Sequence, residues 1–137
     1  MKLLQNYNED DLLSKILLLY FAFQHGAVGF FFLFSNPTNM QSEYLDGLRE
    51  IFPMDVWGIV LIVSSLSFVF TILQENKLEY WFMMLAGSTG GLTFSLLAMA
   101  SLELSIYQTN TINYIIIASI DIIIAIVGGV AVWLRRT

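Results

Sequence analysis

Four long apolar blocks in a short chain predict an all-α integral membrane protein, four transmembrane helices in one compact bundle. Composition supports this: of 137 residues, 57% are hydrophobic and only 12% charged, with a mean hydropathy of +0.71. A soluble domain is about 45–50% apolar and about 25% charged, and a small one buries a smaller fraction of its chain. The blocks also leave no polar stretch long enough for a soluble domain, so residues 1–137 form a single transmembrane unit. An ordinary soluble enzyme is thereby excluded, and so is a disordered tail. A net charge of −5 offers no general attraction to phosphate backbones, which argues against nucleic acid as a partner. With no cysteine, there is no disulfide framework, thiolate metal site or thiol catalysis.

The predicted spans run over 16–34, 56–73, 80–102 and 114–134. Each is near the roughly 20 residues that cross about 30 Å of hydrocarbon as a helix. Backbone groups in lipid must be satisfied within the segment, so the Ile/Val-rich fourth block also reads as a helix despite its β propensity. Glu9, Asp10 and Asp11 occupy what would be the positive region of a signal peptide, which speaks against cleavage. The same three acids suit the first turn of a helix capped by Asn8.

Asn36-Pro37 stops the first span, and Pro53 with Asp55 opens the second. Trp57, Tyr80, Trp81, Tyr107, Tyr114 and Trp133 fall at span edges, where aromatic belts lie. In the longest loop, 35–54, Tyr44, Leu45, Leu48, Ile51 and Phe52 share one face against Glu43, Asp46, Arg49 and Glu50. That pattern fits a short helix lying flat at the interface, or a loop tucked over the helix ends. Four spans place both termini and the 74–79 turn on one side, with Lys2, Lys15, Lys77, Arg135 and Arg136; the other side has only Arg49. The positive-inside rule then makes both termini cytoplasmic. The expected location is a plasma membrane, prokaryotic or phage-encoded.

In lipid, helices associate through small residues and interhelical hydrogen bonds. Gly87, Gly91 and Ser95 form such a stripe on the third span, Ala125 and Gly129 on the fourth, and Ala22 and Gly26 on the first. They suit packing within one bundle or contact with a second copy or another membrane protein. Phe30, Phe31, Phe32 and Phe34 suit the lipid-facing or inter-subunit side. Gly26-Ala27-Val28-Gly29 and Gly87-Ser88-Thr89-Gly90 also echo one another, as tandem hairpins would.

Of the eleven acidic residues, only Asp121 falls deep in a span. It lies eight residues after Asn113, about 12 Å into the membrane at 1.5 Å per residue. The only histidine, His25, lies about 15 Å in from Lys15 on the same rise. Gln24 is beside it; Ser64, Ser65, Ser88 and Thr89 bring hydroxyls to the same layer. The expected network therefore comprises Asp121, His25, Gln24, Ser64, Ser65 and Thr89. It acts either as a polar staple fixing helix register or as a proton or cation relay, since a charge at this depth costs at least about 2.5–3.5 kcal/mol. One histidine and no cysteine give no expectation of a metal site or other cofactor. The glycine-rich 87–91 segment lacks the lysine of a P-loop and the spacing of a nucleophile elbow, so no catalytic residue is assigned.

These residues favour a non-enzymatic membrane subunit, structural, regulatory or partner-binding, that oligomerises or docks through its small-residue faces. The alternative is a small homo-oligomeric transporter or channel, proton-linked through Asp121 and His25. In size and hydrophobicity the chain also resembles phage holins, which would imply a pore former.

Overall fold

The computed structural model describes residues 9–34, 43–74, 76–103 and 109–135. All the regular structure among them is helical: α1 (Glu9–Phe34), α2 (Glu43–Ile51), α3 (Met54–Leu73), α4 (Leu78–Glu103) and α5 (Thr109–Leu134). The four long helices are each apolar enough to cross a membrane. Asn8, Asn36-Pro37, Tyr107, Lys2 and Arg136 lie outside the described residues, as do the side chains of Tyr44 and Leu45.

Helix ends extend beyond the apolar blocks. α1 begins seven residues before the predicted 16, α3 two before 56, α4 two before 80 and α5 five before 114. Hydropathy marks where lipid begins, whereas backbone hydrogen bonding continues through the polar turn outside it. In α1 that turn carries an Asp11–Lys15 ion pair of 3.5 Å at i,i+4. Pro53, with φ −54° and ψ 148°, breaks the chain between α2 and α3. Gln74 ends α3 in an extended conformation, its N–H donating to the Phe70 carbonyl at 3.0 Å.

α3 packs against both α1 and α4, and α5 packs against α4. Glycines allow the close approaches. A Cβ on Gly29 would stand 3.0 Å from the Gly58 carbonyl; one on Gly87 would collide with the Asp121 carbonyl and the Ala125 nitrogen. One on Gly128 would stand 2.8 Å from both the Met84 nitrogen and the Tyr80 carbonyl. The Gly87–Gly91 stripe thus lies against α5 within the chain, where backbones meet as membrane packing requires. On α5 the tight face is Ala125 with Gly128. Gly129 makes only ordinary contact, 3.7 Å from Met84 Sδ.

Polarity is inverted relative to a soluble bundle. Large side chains such as Phe23, Phe34, Leu19 and Ile126 are exposed, while His25, Ser64, Thr93 and Asp121 are fully buried. Lipid is as apolar as leucine, so nothing drives apolar side chains inward, whereas polar groups need the protein interior. Phe30, Phe31 and Phe34 face outward, but Phe32 is buried, because it falls on the opposite side of α1 and packs in the core.

The 43–51 segment is a helix, and it is held to the bundle rather than lying free at the interface. Leu48 is buried and its carbonyl accepts the Trp57 indole N–H at 3.1 Å. Trp57 is therefore buried beneath α2 rather than exposed as an interfacial anchor, its N–H finding a protein acceptor. Ile51 and Phe52 remain half exposed. Trp81 and Trp133 keep their exposed edge positions.

Candidate functional site: a buried His–Ser–Asp cluster

His25 of α1 reaches the centre of the bundle, where α3, α4 and α5 each present one feature to its ring. Its Nδ1 lies 2.7 Å from Ser64 Oγ of α3. Its Nε2 lies 3.1 Å from Asp121 Oδ2 of α5. α4 contributes Gly90, where a Cβ would stand 2.8 Å from Asp121 Oδ2 and collide with His25 Cε1. The glycine is thus the gap through which α1 and α5 touch, although their backbones make no extensive contact.

Hydrogen-bond geometry fixes the histidine's protonation pattern on one side. Ser64 Oγ donates its single proton to the Ala86 carbonyl of α4 at 2.9 Å. It is then an acceptor toward His25, so Nδ1 carries a hydrogen. The other ring nitrogen, Nε2, faces the Asp121 carboxyl. Electroneutrality of the pair corresponds either to neutral imidazole facing a carboxylic acid or to imidazolium facing a carboxylate.

The surroundings are enclosed and aromatic. His25 and Asp121 are both fully buried. The imidazole lies 5.2 Å from the Phe68 ring and 5.1 Å from that of Phe94, centroid to centroid, with Phe21 at 6.2 Å. Nε2 and Oδ2 pair at 3.1 Å without aligned hydrogen-bond geometry, and Oδ1 has no hydrogen-bond partner among the described residues. A buried polar group without a partner costs about 1–3 kcal/mol, more if charged.

Of the six residues expected in the network, three meet here: His25, Ser64 and Asp121. Ser65 turns the other way and donates to the Ala22 carbonyl at 2.6 Å, joining α3 to α1. Thr89 bonds back to the carbonyls of Leu85 and Ala86 on its own helix, and Gln24 is half-buried. Adjacent helical residues point about 100° apart, which divides Ser64 from Ser65 and His25 from Gln24. Of the packing residues, Gly26 and Ala22 both meet Ser65, Gly91 meets Asp121 and Ile122, and Ser95 lines a shallow groove between α4 and α5. Phe68 and Phe94 carry no signal in the sequence, and Gly90 stands there only as part of the glycine-rich 87–91 segment. Gly90 is distinguished only by lying one turn from Ala86, whose carbonyl anchors Ser64. No group of three or more metal-ligating side chains occurs among the described residues.

No protein-family model matches the chain, and no curated protein or solved structure is significantly similar to it.

Proposed function

We propose that this membrane protein is non-enzymatic and acts through a proton-binding site at its centre, as a small proton-linked transporter or channel. The observation that carries the reading is a fully buried His25–Asp121 pair at 3.1 Å whose carboxyl is incompletely hydrogen-bonded by the described residues. A staple retained only for helix register gains most from complete hydrogen bonding, whereas ionisable groups kept inside a membrane mark proton and ion paths. Ser64 supports the division of labour by holding Nδ1 as a fixed donor, which confines exchange to the opposite side of the ring. Uptake of a second proton converts the pair from neutral to positive, and its loss restores neutrality. That change of one charge inside hydrocarbon is the elementary event a proton-linked carrier needs.

The test uses proteoliposomes with a trapped pH indicator, wild type against Asp121→Asn. The amide keeps the shape and still donates to a neutral Nε2, so the variant folds, but it cannot exchange the proton. Lumenal pH change, driven by a potassium diffusion potential or by an imposed ion gradient, is expected in the wild type and absent in the variant. Equal flux from both refutes the reading; leakage of large dyes from both identifies a nonspecific pore instead.

A second reading, a subunit docking on itself or on another membrane protein, is favoured by the groove between α4 and α5. Over about 230 Å³ it is lined by the buried Ala98 and Ala118 and by the exposed Met99, Leu102, Ile115 and Ser119. Cysteine pairs at the exposed Met99 and Ser119 that cross-link between copies in membranes would support it.

A further inference from the structure

At the end of the bundle where α4 begins and α5 finishes, a polar recess lies far from the His25 site. We infer that it binds the phosphate headgroup of an anionic phospholipid. The recess has a volume of about 130 Å³ and is lined by Lys77, Tyr80, Trp81, Val132 and Arg135. Two cations therefore share one concave site, with no carboxylate within ion-pair distance of either among the described residues. Among the described residues, Glu79 lies within electrostatic reach of Arg135 but also of Lys15 and Asp11 on α1.

Arg135 is held in place rather than left to wander. Its guanidinium lies over the Tyr80 ring, 4.4 Å from the centroid, and Nη2 donates to the Tyr80 hydroxyl at 3.1 Å. A guanidinium has five N–H donors, and this use of one leaves a planar fork suited to phosphate oxygens. Stacking on tyrosine lowers the entropy lost when an anion binds. Lys77 adds a point charge from the turn just before α4. Trp81 and Val132 supply an apolar wall next to the cations, with Trp81 partly exposed at the level where aromatic side chains meet headgroups. A recess whose one side is cationic and whose other is apolar, at the end of membrane-crossing helices, matches a lipid's phosphate and upper acyl chain. A free phosphate would use only the first of these.

The experiment is native mass spectrometry of the full chain released from phosphatidylcholine nanodiscs containing graded phosphatidylglycerol. Retention of one phosphatidylglycerol in preference to phosphatidylcholine is expected. Lys77→Gln and Arg135→Gln should each weaken that preference about fivefold, the effect of one basic charge at an anionic surface. Lys15→Gln, which removes a charge from the same end but outside the recess, should leave it intact. Arg135→Lys, which keeps charge and loses the planar fork, should fall between Arg135→Gln and wild type, and far-UV circular dichroism confirms that each variant is folded. Equal loss with Lys15→Gln would replace the site with a diffuse charge effect and overturn the proposal. Displacement of the lipid by millimolar inorganic phosphate would overturn the lipid assignment in favour of a free anion. No preference in the folded wild type would overturn both.

Discussion

Replacing Gly90 with alanine tests the packing on which the central cluster depends. The added methyl would stand 2.8 Å from Asp121 Oδ2, 3.0 Å from His25 Nδ1 and nearer still to His25 Cε1. Carbon contacts are comfortable at about 3.5–4.0 Å, so the ring must withdraw. It has nowhere to go, being hemmed in by Phe68 and Phe94 with ring centroids 5.2 and 5.1 Å away. Overpacking of this kind costs about 1–3 kcal/mol. Pulling His25 from Ser64 breaks the 2.7 Å contact and adds about 0.6 kcal/mol, the average for a hydrogen bond between membrane helices. Against this, alanine is a better helix former than glycine by about 0.8–1.0 kcal/mol. The balance is a loss of about 0.6–2.8 kcal/mol, centred near a twentyfold shift in the unfolding equilibrium. Reversible unfolding in mixed micelles, titrated with dodecyl sulfate and followed by circular dichroism, measures it directly. Gly129→Ala is the matched control, because its methyl meets only Met84 Sδ at 3.7 Å and should be neutral or slightly stabilising. If Gly90→Ala unfolds at the same point as wild type, or both variants shift alike, the geometry assigned to the cluster is wrong.

The two adjacent serines of α3 should behave differently in the same titration. Ser64→Ala removes the acceptor for His25 Nδ1 and orphans a buried N–H, costing about 1–3 kcal/mol, while Ser65→Ala loses one bond to the Ala22 carbonyl, about 0.6 kcal/mol. Asp121→Leu leaves Nε2 facing an apolar side chain and should cost about 3–5 kcal/mol, the range for breaking a buried pair. Asp121→Asn should cost about 1 kcal/mol, the net worth of a hydrogen bond; equal losses would mean that the carboxyl makes no specific interaction with His25. Nitrogen-15 spectra of the labelled imidazole should show a proton bound at Nδ1, and Ser64→Ala should release that constraint. A wild-type spectrum with bare Nδ1 would contradict the donor assignment.

The sequence determined the class of the protein because hydrocarbon imposes a simple rule. A backbone in lipid must satisfy its own hydrogen bonds, so length and hydropathy alone identify four helices, and the depth of Asp121 and His25 follows from counting residues. The small-residue stripes were legible for the same reason, as were Trp81 and Trp133 at the edges. Other features required the tertiary structure. Whether Phe32 faces lipid, whether Trp57 meets headgroups or the Leu48 carbonyl, and which of Ser64 and Ser65 turns to His25 all depend on the rotation of each helix about its axis. A helix that is apolar almost all round carries little amphipathic signal to set that rotation. It is fixed instead where backbones come closest, at Gly29 against Gly58 and at Gly87 against Ala125. Gly90 shows the limit most clearly. In sequence it is one glycine among several, and only the packed bundle reveals that its missing side chain is the space in which a histidine and an aspartate from opposite ends of the chain meet.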